Sequence, residues 1–305
     1  MSEILQQSSD QAERKVIFTT KEIQEQNIPC KFELPEPEHC KYCGRTLYYE
    51  GVLAFGSIVT IRRESPERCT CDKALAYWSK KDKEDEEQKK RVDRQKEIEK
   101  RQSRMNRLIV NSGMSKRQQF CSFDNYTVTV PGQKNALEIA EKYVTCFEDK
   151  KSIGKGLYIE GTNGTGKTHL ASAIAMALIN KFYSVKCQTA VALLENIKKA
   201  YNDYSDYTED EILDRFRKVD LLIIDDLGKE QVTNWGVATL YSIIDYRYNE
   251  MLPTIITTNY NEQMLIERMT VNDDCQNIKA IISRFRETTD VITMAWNDYR
   301  GAAHG

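Results

Sequence analysis

Apolar and polar positions divide the chain into stretches with different periods. From about residue 120 onward, short apolar runs alternate with longer segments whose apolar residues recur every three or four positions. The runs predict strands at Gly156–Glu160, Ser184–Gln188, Leu221–Asp225, Thr254–Thr258 and Val291–Met294, with helices between them, among them His169–Phe182. Such alternation predicts a three-layer α/β fold built on a mainly parallel sheet. Ahead of it, residues 79–107 are dominated by Lys, Arg, Glu and Asp and contain no Gly or Pro. Glu86 with Lys90, Glu87 with Arg91 and Glu97 with Arg101 stand at i,i+4 in the favourable order, which predicts an exposed helix. Residues 29–78 hold short β-prone pieces at Leu47-Tyr-Tyr, Val52-Leu-Ala-Phe and Ile58-Val-Thr-Ile, a hairpin-like pattern. Residues 1–28 are polar with weak periodicity. The predicted organisation is a polar tail or short helix (1–28), a small cysteine-bearing interaction domain (29–78), a charged helical linker (79–119) and the α/β domain (120–305).

Composition narrows the classes. A chain of 305 residues suits about two domains. A formal net charge of -2 gives no global pull towards nucleic acid, so any such contact needs a local basic patch. No leader-like segment and no apolar run of roughly 18 residues stands out, so a cytoplasmic protein without membrane contact is expected. In that setting nine cysteines argue for thiols and metal rather than disulfides. Cys40-Lys-Tyr-Cys43 is a C-x₂-C knuckle followed by Gly44, and Cys69-Thr-Cys71 supplies two more thiols. Four thiolates fit tetrahedral, structural Zn²⁺, with Cys30 and His39 as alternative ligands. A module this small scarcely builds a core of its own, so the metal would supply folding energy.

The α/β half carries the chemistry. Gly161 to Thr168 read Gly-Thr-Asn-Gly-Thr-Gly-Lys-Thr, a full G-x-x-x-x-G-K-[ST] phosphate loop between a predicted strand and a predicted helix. Backbone N–H groups and the positive end of the helix favour phosphate there. Gly161, Thr162, Asn163, Gly164, Thr165, Gly166, Lys167, Thr168 and His169 are the candidate nucleotide-binding residues. Lys167 is expected to reach the β- and γ-phosphates and Thr168 to ligate Mg²⁺. The apolar run ending in Asp225-Asp226 places two acids at the C-terminal end of a strand, where open α/β sheets bind ligands. Asp225 is the candidate magnesium carboxylate and Asp226 the candidate base or water-positioning group. Asn259, ending the run from Pro253, could bond the attacking water or the γ-phosphate. Ser283-Arg-Phe-Arg-Glu287 could supply an arginine to a neighbour's γ-phosphate. Residues 190–218 mix Lys198, Lys199, Tyr201, Tyr204, Arg215, Arg217 and Lys218 with acids at Asp203, Asp206, Glu209, Asp210 and Glu211. Base stacking with phosphate neutralisation would suit single-stranded nucleic acid, and a solvated helical insertion is the plainer alternative.

The order GTNGTGKTHLASAIA, LLIIDDLG, TIITTNYN, ISRFRE and closing WNDYR, with Phe123-Asp-Asn-Tyr126 ahead and Trp235 after the acids, resembles the AAA+ ATPases. Within them it resembles the DnaC/DnaI-like replicative helicase loaders and the related IstB-type transposition ATPases. That resemblance implies an ATPase using ATP and Mg²⁺, with Asp225 and Asp226 as the metal and hydrolysis pair. It implies Asn259 as first sensor and Arg284 as arginine finger, ahead of Arg286. It further implies a hexameric replicative helicase and single-stranded DNA as partners, self-association through the ATP interface, and a zinc module that docks on the helicase. Two departures matter. Asp226 stands where many relatives carry Glu, so slow hydrolysis is expected. The stretch beyond Arg286 is too short for a helical lid, so no second sensor is assigned; Arg300 is a candidate, and a plain surface arginine is the favoured alternative. The expected function is ATP-dependent loading of a replicative helicase. The alternatives are a transposition-associated ATPase, or a zinc-dependent DNA-binding regulator with a nucleotide switch.

Overall fold

The computed structural model describes residues 17–54, 57–62, 64–202 and 208–296. The chain forms two compact units, one ending at Glu97 and one beginning at Ile98.

In the first unit, β1 (Ile17–Thr19), β4 (Glu50–Ala54) and β5 (Ser57–Ile61) make an antiparallel sheet. Helix α1 (Thr20–Glu25) follows β1, and β2 (Glu38–His39) pairs with β3 (Thr46–Leu47). Helix α1 starts on a capping box. The Thr19 hydroxyl accepts from the Glu22 N–H at 3.3 Å, and the Glu22 carboxylate accepts from the Thr19 N–H at 2.9 Å. Ile23 and Ile58 are both fully buried. They close over Gly51, where a Cβ would lie 2.8 and 2.9 Å from them. The sequence offers a polar tail or short helix over 1–28; a short helix is present, and from Ile17 the chain is also a working part of this sheet. One apolar residue per turn, Ile23, suffices for so short a helix and leaves almost no periodic signal.

Helix α2 (Asp72–Ser112) runs unbroken through the charged stretch. Glu86 and Lys90 pair at 2.7 Å. Exposed pairs of this kind contribute only about 0.3–0.5 kcal/mol each, so packing must do more. It does so at the C-terminal end, where Met105, Leu108 and Ile109 meet the core of the second unit. Residues 98–119, expected within the linker, therefore belong to the second unit, because the spacing i, i+3, i+4 puts an apolar stripe on one helix face.

In the second unit, α3 (Lys116–Gln119), α4 (Pro131–Thr145) and α5 (Phe147–Ser152) lead into a parallel sheet. Its strands are β6 (Gly156–Gly161), β7 (Val185–Thr189), β8 (Leu221–Leu227), β9 (Thr254–Thr258) and β10 (Thr289–Met294), in spatial order β10-β6-β9-β8-β7. The connecting helices are α6 (Lys167–Asn180), α7 (Ala190–Asn202), α8 (Glu209–Arg217), α9 (Asn234–Asn249), α10 (Glu262–Met269) and α11 (Gln276–Thr288). Alternation inside the apolar runs assigns each residue to a face. Leu157, Ile159, Leu221, Ile223 and Ile255 enter one core with α4, α5 and α6. Tyr158, Leu222, Ile224 and Ile256 enter another with α7 to α11. Both faces are thus covered, which is the expected three-layer arrangement.

Arg247, 1% exposed, ties together the chain segments that enter the central strands β8 and β9. Its guanidinium donates to the carbonyls of Phe216, Arg217, Val219 and Pro253 at 2.6–3.1 Å and to the Thr254 hydroxyl at 3.0 Å. Among the described residues no helix is long and apolar enough to cross a membrane.

Candidate nucleotide site

The loop from Gly161 to Gly166 joins β6 to α6. Gly161 (φ 151°) and Gly166 (φ 94°) hold conformations that side chains disfavour. A Cβ on Gly161 would stand 2.2 Å from the Met294 carbonyl oxygen of β10. Lys167, 5% exposed, donates to the carbonyls of Gly161 at 2.8 Å and Thr162 at 2.6 Å. Its ammonium thus lies over the loop itself. Trp296, the first residue of the closing WNDYR, braces the loop by donating its indole N–H to the Thr165 carbonyl at 3.0 Å. The remainder of that motif, Arg300 included, lies outside the described residues.

Beside the loop is a cleft of about 730 Å³, lined by Lys167, Thr168 and His169 on one side and by Asp225, Asp226 and Asn259 on another. These six candidates therefore meet in one place. The Thr168 hydroxyl donates to Asp225 Oδ1 at 3.0 Å. Burial, chiefly, pushes the Asp225 carboxyl above the usual carboxylate range, and the neighbouring Asp226 charge adds to it, while the Thr257 hydroxyl bond works against both. The register between β8 and β9 shifts between Ile224 and Leu227, so that three steps on β8 face two on β9. This bulge falls on the acid pair, with Asp226 at φ 57°, and interrupts its pairing with β9 beside the cleft, while Asp225 stays paired with Thr189 of β7.

Several neighbours escape a motif search. The Thr257 hydroxyl donates to Asp225 Oδ1 at 2.5 Å and accepts from the Asp226 N–H at 2.9 Å. Sequence reasoning singles out Asn259 at the strand end, and only the parallel pairing of β8 with β9 shows Thr257 between the acids. Tyr126 packs against Gly166, where a Cβ would lie 3.1 Å from its ring, and edge-on to His169 at 5.4 Å. His169 Nε2 lies 3.1 Å from the Ser122 carbonyl and so is the donor. Ser115 and Arg117 also line the cleft, which places the end of the expected linker at the candidate nucleotide site.

Arg284 is elsewhere. It does not line the cleft of its own chain. It bonds Tyr241 Oη at 3.2 Å and pairs with Asp245, between the rings of Tyr241 and Tyr248 at 5.0 and 5.3 Å. Arg286 is more exposed and pairs with Glu262.

The profile of the IstB-like ATP binding proteins matches residues 73–304. The chain is 30% identical over 210 residues to the replicative helicase loader DnaC of Escherichia coli K12, covering 68% of this chain and 81% of that protein. It is also 30% identical over 203 residues to the loader DnaC of Buchnera aphidicola subsp. Baizongia pistaciae, covering 66% and 78%. A crystal structure of DnaI superposes with a TM-score of 0.50 at 28% identity, over 61% of this chain and 94% of that one.

The chain belongs to the IstB-like ATP-binding family. Its phosphate loop, acid pair and parallel sheet are those of an AAA+ fold, and the family match begins just after the fourth clustered cysteine.

That cluster comprises Cys40, Cys43, Cys69 and Cys71, whose sulfurs all lie within 4.8 Å of one another. Cys40 and Cys71 stand 4.0 Å apart and Cys43 and Cys69 3.4 Å. A tetrahedron with bonds of about 2.3 Å puts its sulfurs about 3.8 Å apart, so this set could hold Zn²⁺. The backbone N–H groups of Tyr42 and Cys43 draw the Cys40 thiol down, towards the thiolate form a metal needs, while the bond to Cys69 and burial push the neighbouring Cys43 thiol up. Among the described residues neither Cys30 nor His39 joins the cluster.

The basic segment divides. Arg217 pairs with Asp210 and Lys218 with Asp214, and Lys198, Lys199, Arg215 and Lys218 are exposed. Tyr204, Asp203 and Asp206 lie outside the described residues, as do the side chains of Tyr201 and Glu209.

Proposed function

We propose that this chain is a cytoplasmic ATPase that loads a replicative DNA helicase onto single-stranded DNA. The observation that carries the proposal is the Thr168–Asp225 contact across a phosphate-loop cleft, in a chain similar over most of its length to DnaC loaders. Lys167 and the loop N–H groups bind the phosphates of ATP, with Thr168 and Asp225 holding Mg²⁺. When bound, Mg²⁺ supplies charge neutralisation at the phosphate oxygens. Asp226 accepts the proton of the attacking water and Asn259 fixes the water's position. Arg284 acts from a neighbouring copy on the γ-phosphate, so turnover requires self-association. Asp226 has a shorter reach than Glu, and turnover is slow. Cys40, Cys43, Cys69 and Cys71 would hold Zn²⁺, whose binding would supply folding energy to the first unit, the proposed docking module for the helicase. Lys198, Lys199 and Arg215 are the proposed contacts to DNA phosphates.

The test uses the full chain with a hexameric replicative helicase, on circular single-stranded DNA. Complex formation, and ATP-dependent transfer of helicase to the circle that Lys167→Ala abolishes, are expected. A transposition role is the second reading, favoured by the family match. Absence of any helicase complex, combined with a stable complex with a transposase, would replace the first reading with the second.

A further inference from the structure

Asp226 is held by a side chain that hydrolysis as proposed above does not use. Lys229 Nζ lies 2.9 Å from Asp226 Oδ1. Both residues line the cleft that Lys167 and Asn259 also line. The backbone builds this pairing. Asp226 sits at φ 57°, and the Lys229 N–H donates to the Asp226 carbonyl at 3.2 Å, closing a four-residue turn. Gly228, at φ 92°, lies against α10 and the residues leading into it. A Cβ there would stand 2.7 Å from Leu265 Cδ1 and 2.9 Å from Tyr260 Cδ2. The Gly228 N–H donates to the buried Glu230 carboxylate at 2.8 Å, and Arg268 donates to the Gly228 carbonyl. Clamped at both ends of that residue, the turn aims Lys229 back over the acid.

We propose that Lys229 is a positioning residue: it restrains Asp226 in the nucleotide-free protein and gives it up to the γ-phosphate of bound ATP. This rests on the ATPase reading above. While the ion pair stands, Asp226 Oδ1 is occupied and the carboxylate is a weaker proton acceptor for a water. A lysine ammonium is a compact charge on a flexible stem, so it can follow the larger negative charge of an arriving triphosphate. Asp226 is then released only where nucleotide is present, and the residual pairing keeps basal turnover low. No bond to Lys229 forms or breaks, and its proton stays in place.

The experiment compares Lys229→Met and Lys229→Arg in the full chain. Steady-state ATP hydrolysis gives kcat and KM separately, and a fluorescent non-hydrolysable ATP analogue gives affinity. Lys229→Met is expected to raise basal kcat by about threefold or more while KM and analogue affinity stay within about twofold. Lys229→Arg, which keeps the charge but holds a carboxylate through a rigid fork, is expected to show a kcat at or below that of the wild type, with analogue affinity within about twofold. An unchanged or lower kcat in Lys229→Met overturns the proposal, and so does a loss of analogue affinity, which would make Lys229 a phosphate ligand. Should Lys229→Met melt early, Lys229→Gln takes its place under the same criteria. Lys167→Ala separates the two levels. Wild-type turnover that Lys167→Ala removes upholds the ATPase reading whatever Lys229 does. A silent wild type with an active Lys229→Met supports the restraint, and silence of both overturns both.

Discussion

The Thr168 hydroxyl, in the first turn of α6, donates to Asp225 Oδ1 at 3.0 Å, so the two groups proposed to share Mg²⁺ already face each other across the cleft. Asp225 is 2% exposed, and burial raises its carboxyl above the ordinary range. For an acid raised in this way the folded state favours the protonated form. Its stabilising effect is full below the unfolded value of about 4 and is lost as pH rises through the folded value. At neutral pH, without metal, a charged Asp225 therefore weighs against folding. Asp225→Asn is expected to raise Tm at pH 7 in chelator, with the difference shrinking as pH approaches 4. The same variant is expected to lose hydrolysis by about 100-fold or more, and nucleotide affinity by less. Thermal melts across this pH range with paired turnover measurements check it, and a lower Tm at pH 7 would contradict it.

Lys167→Ala removes the one ammonium set over the loop, leaving the carbonyls of Gly161 and Thr162 without that donor. Charged hydrogen bonds contribute about 1.5–3 kcal/mol, so ATP affinity is expected to fall by roughly 10- to 150-fold. Calorimetric titration with ATP and Mg²⁺ measures this directly. Wild-type affinity in the variant would show that phosphate binding does not depend on Lys167.

One zinc per chain is expected, bound by Cys40, Cys43, Cys69 and Cys71. Two of these, Cys40 and Cys69, are buried beside Ala74, with little other core around them. Replacing any one of the four by Ser is expected to unfold the first unit and leave the second folded. Metal analysis of protein purified without chelator, together with separate proteolysis of the two units, tests it. Protein that carries no zinc yet keeps a folded first unit would end the assignment.

Arg284→Ala is expected to keep ATP binding and lose turnover, since its guanidinium is outside its own cleft. Asp245 holds that side chain, so a bracing role must be separated from a catalytic one. Asp245→Asn should share any loss of stability but keep a finger able to reach a neighbour. Mixing Arg284→Ala with Lys167→Ala chains should restore part of the activity where a sound nucleotide site meets a sound arginine. Co-assembly without recovery would leave Arg284 as a brace between α9 and α11.

The sequence by itself determined the features that depend on neighbours a few residues apart. The phosphate loop, the strands ending at Asp225 and Thr258, and the cysteine pairs are legible because strand alternation, helical spacing and turn chemistry are local. Tertiary structure decided what depends on register and on distant segments meeting. Nothing within three or four residues of Thr257 tells that its hydroxyl bridges the acid pair; the parallel pairing of β8 with β9 and the bulge at Asp225–Asp226 do. Nothing local marks Arg247 as buried, yet it donates five bonds, to carbonyls at the end of α8 and ahead of β8 and β9 and to the Thr254 hydroxyl. Ile17–Glu25 joins the first unit through strand pairing and a single isoleucine, below what periodicity can register. The turn from Asp226 to Glu230 shows its residues as charges in a loop. Only the fold brings Arg268 and Leu265 against Gly228, and with them sets Lys229 over Asp226.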